Sequence, residues 1–141
     1  MELNECINFL LSAAQHNVFQ YLSAKLSSFG VTPSQYSVLR CLWGKDHATP
    51  KQLAETLGIE TSTISGLLDR LQKNNLIDRI INREDRREVQ VVVTEKGKSL
   101  EEPITKIIDE VNAEVLKNFT SEEISKLKDT LRFIAAEKFD I

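Results

Sequence analysis

The chain has 141 residues, 41% of them hydrophobic and 28% charged, which suits one compact domain with a real core. Cys6 and Cys41 are too few and too far apart for a disulfide framework or a zinc cluster, and no segment carries the roughly 18 consecutive apolar residues of a membrane span. The formal net charge is −3 and Met1-Glu-Leu-Asn-Glu lacks the basic start of a secretory signal, so the expectation is a soluble, cytoplasmic protein with no membrane partner.

The first predicted element is a long helix, in which Leu3, Ile7, Leu10, Ala14, Val18, Tyr21 and Leu22 recur at three- and four-residue steps, with no Pro or Gly before Gly30. Thr32-Pro33 starts a second helix, with Thr32 as cap and Pro33 where a missing N–H costs nothing; Val38, Leu39, Leu42 and Trp43 form its apolar stripe. Thr49-Pro50-Lys51-Gln52 repeats the device and opens a short helix ending at Gly58, and Ile59-Glu60 makes a tight turn.

The next helix, between Thr61 and Asn74, has two distinct faces. At about 100° per residue Ile64, Leu67, Leu68 and Leu71 fall on one side, and Ser62, Ser65, Gly66, Asp69, Arg70 and Lys73 on the other. Asn74-Asn75 can end it in the left-handed conformation. Leu76 to Ile81 and Val89 to Thr94 read as two strands joined by the charged loop Asn82 to Arg87. Thr94-Glu95-Lys96-Gly97 then leads into one further long helix carrying Leu100, Ile104, Ile107, Ile108, Val111 and Val115, with Pro103 in its first turns. Thr120-Ser121-Glu122-Glu123 is a capping box for a last helix with Ile124, Leu127, Leu131 and Ile134 in a row.

The fold class that follows is mainly α with a small antiparallel β-wing: a winged helix-turn-helix core over residues 31–97, flanked by dimerisation helices over 1–30 and 98–141. The terminal apolar stripes are longer than a small central lobe can cover, and an intertwined homodimer would bury them.

Charge is unevenly distributed. Between Arg70 and Lys98 eight bases face five acids, a local balance of +3 inside a chain of −3, leaving −6 elsewhere. An acidic body with one basic face is repelled by phosphate everywhere except at that face. Thr61, Ser62, Thr63 and Ser65 give the fourth helix an N-terminal end short enough to approach a major groove and able to bond bases or phosphates. Gly66 costs roughly 1 kcal/mol relative to alanine in mid-helix, which close approach to DNA would explain. Arg70 and Lys73 extend the same face. An arginine at the tip of the hairpin can enter the neighbouring minor groove; Asp85, next to it, can hold the loop by pairing with Arg87 or Arg70.

The order of helices, together with Asp85-Arg86-Arg87 and Thr94-Glu95-Lys96-Gly97, resembles the MarR family of bacterial winged-helix regulators over nearly the whole chain. The resemblance implies a homodimer on a pseudo-palindromic double-stranded operator, often released by small phenolic or other lipophilic effectors or by oxidants. It assigns Asp85 as the wing's ion-pair anchor, Arg87 as the minor-groove arginine and Arg86 as a phosphate or second groove contact. Asn75 stands where the family commonly has Gly, and Gly66 where it has a larger side chain, so an operator cannot be borrowed from relatives. An effector pocket between the first two helices and the DNA-binding lobe would draw on Phe9, His16, Tyr36 and Trp43.

Two other readings compete. Cys6 suggests oxidation sensing, but aligning Phe9-Leu10-Leu11 and Gln35-Tyr36 with the peroxide-sensing subgroup puts Asn8 at the sensing position, about 200° of helix away. A winged helix used as a protein-interaction module would not need Arg86 and Arg87 beside a small-residue helix. An enzyme is disfavoured, because there is no Gly-rich phosphate loop, no defensible Ser/His/Asp grouping and no metal spacing, and nothing calls for a cofactor.

Overall fold

The computed structural model describes residues 1–45, 47–81 and 88–141. In chain order these form α1 (Ile7–Leu26), α2 (Pro33–Gly44), β1 (His47–Ala48), α3 (Pro50–Leu57), α4 (Thr61–Lys73), β2 (Ile77–Ile81), β3 (Val89–Val93), α5 (Glu95–Ser99), α6 (Glu101–Val115) and α7 (Ser121–Ala136).

Local chemistry sets most of the boundaries. Thr32, Thr49 and Thr120 each accept the backbone N–H three residues on, while Gln35, Gln52 and Glu123 reach back to the cap's own N–H. Each box satisfies two of the donors a helix start leaves unpaired. Gly30 (φ 66°), Gly58 (φ 65°) and Asn75 (φ 63°) occupy the left-handed conformation just beyond a helical segment, so the asparagine does a glycine's work at the end of α4.

Two readings of the sequence need correction. The helix expected after Thr94 is two helices, α5 and α6, with Leu100 between them. Pro103 has no N–H to give the Ser99 carbonyl, so the hydrogen-bond ladder is interrupted there. The sheet also has three strands instead of two, in the order β1-β3-β2 and all antiparallel. The extra strand is only His47-Ala48, opposite Val92 and Val91.

The core lies between α2, α3, α4, the sheet and α6. Leu39, Leu42, Ile64, Leu71, Ile77 and Ile104 are fully buried in it, each worth about 2 kcal/mol of transfer free energy. All four apolar residues of the α4 stripe, Ile64, Leu67, Leu68 and Leu71, are buried, which turns the opposite face of that helix to solvent. The terminal elements differ. Leu26 is the only buried residue of the 20 in α1, and α7 buries none of its 16. Leu3, Ile7 and Leu10 at one end, and Phe119, Leu127, Leu131 and Phe133 at the other, remain exposed.

Candidate nucleic-acid interface

α3 and α4 meet through Gly58, Ile59 and Glu60, with the Gly58 and Ile59 N–H groups both donating to the Ala54 carbonyl. This tight turn delivers α4 N-terminus first. Glu60, at the cap position, makes no side-chain capping bond. The first N–H groups of α4 are therefore open to a phosphate, and the helix dipole favours an anion there.

Thr61, Ser62, Thr63 and Ser65 are exposed along the first turns, followed by half-buried Gly66, with Arg70 and Lys73 exposed towards the C-terminal end. A Cβ built on Gly66 meets nothing within 4 Å, so packing does not require the glycine. Among the described residues neither Arg70 nor Lys73 has an ion-pair partner. Both cations are available to a polyanion. Asp85, Arg86 and Arg87 lie outside the described residues; the strands leading to and from them pair with Ile81 opposite Val89.

The structure adds neighbours that periodicity alone did not show. Ser34 and Ser37 of α2 line one open groove with Ser62, Thr63, Gly66 and Arg70. They come from a helix more than twenty residues away in sequence. Arg79 of β2 donates from Nε to Gln72 Oε1 at 2.7 Å and from Nη2 to Asp69 Oδ1 at 2.6 Å. Nothing in the chain's local patterning could have found that contact.

Behind α4 the wing's base is tied to the next helix. Thr94 donates its N–H to the Leu76 carbonyl (3.1 Å) and its hydroxyl to the Asn75 carbonyl (2.7 Å), and its Oγ1 accepts the Gly97 N–H (3.1 Å). The Trp43 indole N–H donates to the Gly97 carbonyl at 3.0 Å. A Cβ on Gly97 would lie 2.5 Å from Val93 Cγ2 and closer still to the Leu76 carbonyl oxygen. That glycine is demanded by packing.

The four residues proposed for an effector pocket occupy different surroundings. Tyr36 and Trp43 are half-buried, their ring centroids 6.3 Å apart at 60°. Burial pushes the Tyr36 phenol above its ordinary range, the Arg40 guanidinium pulling the other way and Asp109 adding to the rise. Tyr36 is thus a neutral hydroxyl at physiological pH. Phe9 and His16 are exposed on α1. Cys6 and Cys41 are free and half-buried. Burial raises the Cys41 thiol, with Arg40 opposing, which disfavours the reactive thiolate. Cys6 caps α1 in an extended conformation. Among the described residues no His/Cys/Asp/Glu cluster could hold a metal ion, and no helix is long and apolar enough to cross a membrane.

Residues 31–89 match the MarR family. The transcriptional regulator SarZ of Staphylococcus epidermidis is 27% identical over 138 residues, covering 98% of this chain and 92% of that protein. The organic hydroperoxide resistance transcriptional regulator of Bacillus subtilis is 29% identical over 131 residues, 93% of this chain and 88% of that one. Among solved structures, a mutant MarR from E. coli complexed with operator DNA aligns with a TM-score of 0.86 at 26% identity, covering 95% of this chain and 99% of that one. CouR from Rhodococcus jostii bound to p-coumaroyl-CoA also aligns at 0.86, with 25% identity and coverage of 100% and 99%.

Proposed function

Because the chain belongs to the MarR family of winged helix-turn-helix transcriptional regulators, we propose that it is a dimeric repressor, working in the cytoplasm on a pseudo-palindromic operator and released by a small lipophilic or phenolic effector. The observation that carries this reading is the outward face of α4. Its hydroxyls, a glycine that no packing requires and two cations without an ion-pair partner among the described residues stand together on a helix whose other face is core.

In this reading Ser62, Thr63 and Ser65 enter the major groove, and Gly66 lets the backbone close on the duplex. Arg70 and Lys73 neutralise phosphate. Asp85 holds the wing loop, Arg87 reaches the minor groove and Arg86 assists, as the sequence of that segment suggests. Two copies joined by their uncovered terminal helices set the α4 helices about 34–36 Å apart, one turn of duplex. An effector that changes this spacing lowers affinity without touching the reading face. The regulator itself performs no catalytic step.

The decisive experiment is selection of duplexes from a randomised library by the purified protein, followed by footprinting. A site with two-fold symmetry and half-sites one turn apart is expected; a single asymmetric site would overturn the dimeric reading. Arg87→Ala is expected to lower affinity for the selected duplex by about 10- to 100-fold and to make the salt dependence shallower by about one unit. Gly66→Ala separates packing from recognition. It should stabilise the fold by roughly 0.5–1 kcal/mol, since the space around Gly66 is open. Duplex affinity should nevertheless fall about tenfold. Unchanged affinity would move the point of closest approach away from Gly66.

A further inference from the structure

The outward face of α4 holds one acid. Asp69 stands in line with Ser62 and Lys73, seven residues after one and four before the other, and its side chain is 63% exposed. A lone carboxylate there would oppose a polyanion. It is not alone, because Arg79 reaches from β2 across the last two turns of α4 and grips it at two points, Asp69 and Gln72. The planar guanidinium makes a fork that fixes direction as well as distance, which an ammonium would not. The other strand of the hairpin is anchored too, since Val91, opposite Arg79, is fully buried.

We propose that Asp69, Gln72 and Arg79 form a positioning clamp that sets the first wing strand against the reading helix, so that helix and wing meet the duplex in one prearranged geometry. An ion pair this exposed adds little to fold stability. Its effect lies in recognition. With the strand held, the wing strand is not positioned at the expense of binding, and Asp69's charge is balanced by Arg79 where it would otherwise oppose phosphate. The proposal rests on the duplex-reading function above, but the clamp can also be tested without DNA.

Asp69→Ala, Arg79→Ala and the double variant are compared on the duplex selected by the unmodified protein and on an unrelated duplex of equal length. The clamp requires both single variants to weaken the selected duplex about tenfold. The double variant should be no weaker than either single, and the loss should be concentrated on the selected duplex. Plain electrostatics requires opposite signs: Asp69→Ala would tighten both duplexes, Arg79→Ala would loosen both, and the double would cancel. That pattern overturns the proposal, as does a change of base preference at one position in Asp69→Ala alone. In the free protein, amide exchange over 77–81 should quicken several-fold in the isosteric Asp69→Asn and remain close to normal in α2. Unchanged exchange there removes the clamp, even if the unmodified protein selects no duplex, in which case the regulatory reading fails separately.

Discussion

Gly97→Ala is expected to lower the melting temperature by roughly 10 °C, corresponding to about 3 kcal/mol of lost stability. Gly97 sits in α5 and does not have a positive φ, so alanine would be welcome there on backbone grounds alone. The cost is steric. The new methyl would run into the Leu76 carbonyl and the Val93 side chain. Neither neighbour is the far end of a flexible side chain: the carbonyl is backbone and accepts the Thr94 N–H, and Val93 pairs with Ile77 in the sheet. To make room, α5 must lift away, which also stretches the bond from Trp43 to the Gly97 carbonyl. Thermal and urea unfolding followed by circular dichroism measure the effect. A melting temperature within about 2 °C of the unmodified protein would mean that this junction yields easily, and that the wing's base is not the fixed point described above. The contrast with Gly66→Ala is the sharper form of the test, because the same substitution should change sign between two helices.

If two copies join through α7 as proposed above, Leu127→Glu combined with Leu131→Glu is expected to leave a monomer in solution and to lower duplex affinity by 100-fold or more. Each leucine is about 40% exposed, on a helix that buries nothing of its own. A helix with that composition is stable mainly through what covers its apolar row. Glutamates in a self-contacting surface place like charges against one another across a two-fold axis. Once the two lobes separate, the second half-site no longer binds as an intramolecular event, and avidity is lost. Sedimentation equilibrium distinguishes the 16.0 kDa chain from twice that mass. A double variant that stays dimeric would place the interface elsewhere, with the exposed Leu3, Ile7 and Leu10 of the N-terminal segment as the next surface to change.

The sequence was most legible where the physics is local. Thr32, Thr49 and Thr120 cap through partners three residues away, and the α4 stripe follows the helical repeat, so those helices could be placed residue by residue. Legibility failed where an element depends on a distant one. His47 and Ala48 have no strand signal of their own and are extended only because Val92 and Val91 lie opposite them. The break at Leu100 leaves no local signal, because Pro103 is tolerable in the first turn of a helix; that first turn belongs to α6 and not to a longer helix. The polar face of α4 was legible in composition but not in arrangement. The helical repeat places Asp69 on the polar face and says no more, because its partner Arg79 follows ten residues later on another element. Ser34 and Ser37 were absent from the expected site for the same reason.

Trp43 is the chain's only tryptophan, and its N–H is held by Gly97, 54 residues further along the chain. Closing so long a loop is slow compared with forming the capped helices on either side. The intrinsic fluorescence of this protein is therefore a local gauge of one late event, the seating of α5 against α2, and not of overall compaction. In a refolding trace, far-ultraviolet ellipticity should recover ahead of the indole signal. The interval between them times how long α4 exists before the junction behind it is fastened.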